Sequence, residues 1–324
     1  MRAWVALIAA AAAGLAAGSA ALGLGAFQSE TQATGSFTTA PDWTAPTATP
    51  VIQKAEGRTT GFVRTGGSYR VYAQISDTGN PASGVASGSA DATALTTGQS
   101  AAALSPAGGP FTVGGVSYGY RSASLTVSAA AGSKTYAITS TDVAGSTRLE
   151  SGFPVTVDST PPAAIDVQTT NAGTAGRPEI NDTITCTYSE LVESESVLAG
   201  WDGSATDVVV RITDGFLGVD RLSVRNAANT AVIPLTLASA HVSLGSLLYV
   251  TSSVDFGASG TPSRMVMSGS TVTVTLGTAS PGQGGAQLLA STMTWTPAAT
   301  PTDRAGNPTA AAVATETGAG DVDF

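Results

Sequence analysis

A chain of 324 residues with 42 % hydrophobic side chains can bury more than one core, so disorder is not its default state. Only 11 % of the residues are charged, against about 25 % in ordinary soluble domains, and Thr, Ser and Gly supply the polar surface instead. A net charge of −9 and a pI near 4.5, with few and scattered Lys and Arg, exclude a track for nucleic-acid phosphates and a basic patch for anionic lipid.

Residues 1–27 begin with Arg2 and then run without charge from Ala3 to Phe27, broken by Gly14, Gly18, Gly23 and Gly25. The pattern predicts an export helix, either a signal peptide or a membrane anchor. The run exceeds the roughly 7–15 residues of an ordinary signal core and matches the about 20 needed to span a bilayer, while the small residues Gly23 to Ala26 favour cleavage near Ala26 or Phe27. Residues 28–57 are rich in Thr, Ala and Pro and lack periodicity, which predicts an extended linker.

From Ser68 the pattern changes to period two. Tyr69, Val71, Ala73 and Ile75 alternate with polar or outward positions, and Asp77 to Pro81 makes a turn. Further short strands are expected over 84–95, around Val116, Tyr118 and Tyr120, at Leu125 and Val127, at Tyr136 and Ile138, and from Phe153 to Val157. Asp158-Ser159-Thr160-Pro161-Pro162 then ends the run, because two prolines remove two donors and fix φ. Beyond it Ile165 and Val167 open a second series. Ile184, Cys186 and Tyr188 share one strand face, Val208, Val210 and Ile212 another, followed by Leu222 and Val224, by Val272, Val274 and Leu276, and by Met293 and Trp295. Residues 311–324 lose the pattern and read as a disordered tail.

The punctuation is repeated. Asp42-Trp43-Thr44-Ala45-Pro46 shares an Asp-x-Thr-x-Pro spacing with the stretch at Asp158, 116 positions later, and Thr141-Asp142-Val143-Ala144-Gly145 is echoed by Thr302-Asp303-Arg304-Ala305-Gly306-Asn307-Pro308. That repeat predicts an all-β chain of two tandem sandwich domains, residues 58–158 and 159–310.

Two resemblances add to this. Ala26 to Thr31 and Gly35 to Thr38, directly after the Gly/Ala-rich core, resemble the leaders of Gram-positive exported proteins processed by SipW-type signal peptidases, whose substrates include camelysin and TasA-like matrix proteins. Camelysin-like proteins have been classed as metallopeptidases, but no set of zinc ligands can be matched to positions here. The opening Asp-x-Thr-x-Pro, the closing Thr-Asp-x-Ala-Gly and the run from Thr185 to Val192 are similar to bacterial immunoglobulin-like domains found in tandem on cell surfaces; the second half looks most like the S-layer-type subfamily. The resemblance implies tandem Ig-like β-sandwiches, although about 150 residues is long for the second one.

The side chains that could carry chemistry are few. A single histidine, His241, excludes an HExxH helix and any multi-histidine metal site, and no Gly-x-Ser-x-Gly elbow accompanies it. The single cysteine excludes an intrachain disulfide, and the phase of Cys186 with Ile184 and Tyr188 makes it a small core residue. Glu190, Glu193 and Glu195 read as a solvated acidic loop, with weak calcium binding near Glu190–Glu195 left open. Asp142 and Asp303 precede Gly-containing turns and read as turn residues. No catalytic, cofactor-binding or metal-ligating residue is assigned. The expectation is a non-enzymatic exported protein of the cell surface or extracellular matrix, with a protein or cell-wall polysaccharide as partner, no nucleic acid, and membrane contact only through residues 3–27. The alternative is a polysaccharide-binding module, for which Tyr118 and Tyr120 are the candidate stacking platform.

Overall fold

The computed structural model describes residues 42–324, apart from 56, 216–218, 237–241, 244–248, 284–285, 287–288 and 321. The expected leader, residues 28–41 and 56 of the expected linker, and His241 lie outside the described residues. Among those described, no helix is long and apolar enough to cross a membrane.

The period-two segments form strands, as their β-branched and aromatic content favours. In the first half these are β1 (Thr47–Lys54), β2 (Phe62–Arg64), β3 (Ser68–Ser76), β4 (Val85–Asp91), β5 (Ala102–Ser105), β6 (Phe111–Val113), β7 (Val116–Tyr118), β8 (Tyr120–Ser122), β9 (Leu125–Thr126), β10 (Gly132–Asp142) and β11 (Thr147–Asp158). One sheet runs in the order β1-β3-β8-β5-β4-β10-β11-β2, with β9 also on β3 and β6-β7 a separate hairpin. All pairs are antiparallel except β11 with β2. The two ends of this path meet: Gln53 bridges Thr60, and the Gly61 amide donates to the Ile52 carbonyl at 2.8 Å. The sheet therefore folds over a core that includes Ile52, Tyr69, Val71, Leu95, Ile138 and Val157.

The second half comprises β12 (Ala164–Thr170), β13 (Thr183–Tyr188), a one-turn helix α1 (Ser194–Val197), β14 (Thr206–Thr213), β15 (Arg221–Asn226), β16 (Val242–Ser243), β17 (Val254–Phe256), β18 (Ser263–Ser268), β19 (Thr271–Thr275), β20 (Thr294–Trp295) and β21 (Ala314–Thr315). Its sheet runs β12-β13-β19-β18-β14-β15-β16-β20-β21, with β17 on β14. At its centre the Trp295 ring meets Tyr188 edge-on at 4.9 Å, and the indole Nε1 donates to the Leu235 carbonyl at 2.9 Å, so the one polar atom of that ring is satisfied inside the core. The two cores share no residue and change over at residues 158–163.

Three expectations change. Residues 47–54, placed in the linker, are the strand β1, paired with β3 along its whole length and burying Ala48 and Ile52. Residues 311–324, expected to be disordered, carry β21 and bury Glu316 and Phe324, whose ring meets Tyr249 at 5.8 Å. Ile165 is exposed because the β12–β13 register shifts between Ala164 and Asp166, putting Ala164 and Val167 on the core side.

Candidate functional site

The repeated sequence motifs build the same turn twice. In the first half, the Asp142 amide donates to the Ser146 carbonyl at 3.1 Å, Gly145 to the Asp142 carbonyl at 3.2 Å, and the Ser146 amide to Asp142 Oδ1 at 2.7 Å. In the second, Asp303 donates to the Asn307 carbonyl at 3.0 Å, Gly306 to the Asp303 carbonyl at 3.1 Å, and the Asn307 amide to Asp303 Oδ1 at 2.7 Å. Gly145 and Gly306 have φ of 95° and 94°, a left-handed conformation that a Cβ would strain. The expected turn chemistry is present, and both aspartates are buried.

Each turn also brings its aspartate to two other acids. Asp42, Asp77 and Asp142 form one group and Asp158, Glu190 and Asp303 a second, in each of which one carboxylate oxygen per residue lies within 4.8 Å of the others. The positions correspond: one acid precedes the first strand of its half, one follows the strand paired to it, and one heads the repeated turn. Sequence spacing showed the first and third members; Asp77 and Glu190 were missed as a pair because they follow β3 and β13, which share no motif. The available signal was their topological place, as the acid just beyond the first antiparallel partner in each half.

Around the first group the donors are backbone amides. Asp42 accepts from Thr44 and Ser83 at 2.9 and 2.8 Å, and Asp77 from Gly79 and Gly84 at 3.2 and 2.6 Å. The Thr44 and Ser83 amides hold Asp42 below its ordinary range. A Cβ on Gly79 would sit 2.3 Å from Asp42 Oδ1, so only glycine leaves this carboxylate its place. Asp142 Oδ2 is buried without a hydrogen-bond partner.

The second group lines a cavity of about 250 Å³ with Phe62, Leu191 and Arg304. Asp158 accepts from the Thr160 amide, and Asn307 Nδ2 bridges Asp303 Oδ2 and the Asp158 carbonyl at 2.8 and 3.2 Å. Burial, reinforced by the charges of Asp158 and Asp303, pushes Glu190 up to about 7. Its Oε1 is buried and unpartnered.

Glu190, Glu193 and Glu195 are not one solvated loop, because Glu190 joins the acid group while Glu193 and Glu195 each pair with a different cation. Glu193 is 5 % exposed and pairs with Lys54 at 2.9 Å, while Lys54 Nζ also donates to the Arg304 carbonyl at 2.8 Å. Burial opposes the Glu193 charge, but Lys54 and the Thr59 amide outweigh it and hold the acid below its usual range. Glu195 pairs with the exposed Arg58 at 3.0 Å, and the Arg304 guanidinium lies 4.1 Å from the centroid of the Phe62 ring. Lys54, Arg58 and Phe62 belong to the first half and their partners to the second, so these contacts form a junction around the proline connector.

Cys186 is buried as its strand phase requires, and burial pushes its thiol well above the ordinary range. Tyr118 is buried, and Tyr120 packs against the core of the first half. No protein-family model matches the sequence, and no curated protein matches it either.

Proposed function

We propose that this chain is a non-enzymatic exported protein of the cell surface or extracellular matrix, built from two Ig-like β-sandwich modules whose mutual orientation is fixed. The observation that carries this reading is the junction: a buried Lys54–Glu193 pair, a guanidinium stacked on Phe62 and a short proline connector between two separate cores. Such an arrangement suits a spacer that transmits position or force. The low charge and the Thr/Ser/Gly surface fit a protein working outside the cell, as does the uncharged stretch from Ala3 to Phe27. The competing reading, a polysaccharide-binding module, rested on Tyr118 and Tyr120, and with Tyr118 buried and Tyr120 against the core these two offer no exposed platform. Protease shaving of intact host cells, followed by mass spectrometry, tests the proposal. Release of peptides from residues 42–324 by shaving, or their recovery from the matrix, supports it; confinement of all of them to the cytosol overturns it.

A further inference from the structure

Beyond any structural role, the two acid groups point to a ligand. Asp142 is 1 % exposed and Asp42 7 %, yet no Lys or Arg pairs with either of them or with Asp77 among the described residues. Backbone amides satisfy Asp42, Asp77 and one oxygen of Asp142, leaving Asp142 Oδ2 buried with no donor at all. An unpaired, buried carboxylate oxygen beside two further carboxylates is costly unless a positive charge sits among them.

The donor set specifies the class of charge. Oxygens bound to one calcium ion lie about 2.4 Å from it, so any two of them are at most about 4.8 Å apart, a limit that one oxygen from each acid meets in both groups. Carboxylate oxygens are the hard ligands calcium prefers, and backbone carbonyls and water can complete its six to eight. Gly79 keeps the space that a Cβ would fill against Asp42.

We propose that Asp42, Asp77 and Asp142 bind a calcium ion at the end of the first half remote from the junction, and that Asp158, Glu190 and Asp303 bind a second at the junction. The second group repeats the first position by position, has its own orphaned oxygen in Glu190 Oε1, and opens onto a cavity of about 250 Å³. Arg304 lines that cavity where the first group has Val143, so the junction site is the weaker of the two. A calcium ion there ties the connector, through Asp158, to the β13 loop and to the repeated turn.

Calorimetric titration of the full chain with calcium chloride, after chelation, tests this. Two ions are expected to bind, with the affinity of the second at least tenfold below that of the first. Asp77→Asn and Glu190→Gln are each expected to remove one ion; both residues are only half-buried, and both replacements keep a side-chain acceptor. Chelated variants melting at the temperature of the chelated wild type would show that the fold persists. Terbium luminescence excited through tryptophan, with Trp43 beside Asp42 and 82 % exposed, should fall in Asp77→Asn and persist in Glu190→Gln. Absence of binding at millimolar calcium, or unchanged stoichiometry in both variants, would overturn the proposal. A single ion indifferent to Glu190→Gln would overturn the junction site.

Discussion

Lys54 and Glu193 show how much one pair of side chains can decide. Both are almost fully buried, so neither ion is compensated by water, and removing one leaves the other charged in a poor solvent. Lys54→Ala should therefore destabilise the chain by about 3–5 kcal/mol, whereas Lys54→Met with Glu193→Leu should recover most of that loss. Urea unfolding of the single and double variants measures both, and a Lys54→Ala cost under about 1 kcal/mol would mean that the pair is solvated. Cys186 gives the opposite case, a residue whose role needs no partner. Its thiol should resist a water-soluble reagent in native buffer and react after denaturation, and rapid native labelling would contradict its place beside Ile184 and Tyr188. The cysteine was legible because strand phase alone assigns its face. The ion pair was not, because its members are 139 residues apart and a lone Lys and a Glu in an acidic run both read as solvated.

At the scale of elements, the strands read correctly are those whose apolar positions alternate without interruption, such as β3, β13 and β19. β1 escaped because its sequence, TATPVIQK, shows only Ala48 and Ile52 as buried apolar positions and contains Pro50. A proline is tolerated there because β1 is an edge strand with β3 as its one ladder partner, so the missing donor breaks no second ladder. Burial against the rest of the first core, not local pattern, makes it a strand. Ile52→Ala should then cost about 2–5 kcal/mol, as for any fully buried isoleucine, while Thr49→Ala on the exposed face should cost less than about 0.5 kcal/mol. Were residues 47–54 a linker, both substitutions would be silent in a thermal melt. The same reasoning covers β21 and Phe324: two residues of strand carry no readable period, and contact with Tyr249 supplies what the sequence does not.

For the whole molecule, the junction makes coupling between the halves depend on pH. Glu193 is held below its ordinary range in the folded chain, so its contribution is fully present above the unfolded value of about 4.3 and is lost as the pH falls through the lower, folded value. The contribution is specific to the junction, because Glu193 reaches across to Lys54 and the Thr59 amide in the first half. Protonation should thus loosen the contact between the halves, while the two cores, which share no residue, keep their own apolar packing. Scanning calorimetry is expected to show one transition at pH 7 and two resolved transitions well below pH 4. Other carboxylates held low by the fold, such as Asp255 through its Arg211 hydrogen bonds, lower both melting temperatures in acid without separating them. Separation is therefore the diagnostic. Lys54→Met removes the same contact without acid and should split the transitions at pH 7. A single transition at every pH, in both the wild type and Lys54→Met, would show that Phe62, Arg304 and the proline connector are enough to keep the halves one cooperative unit.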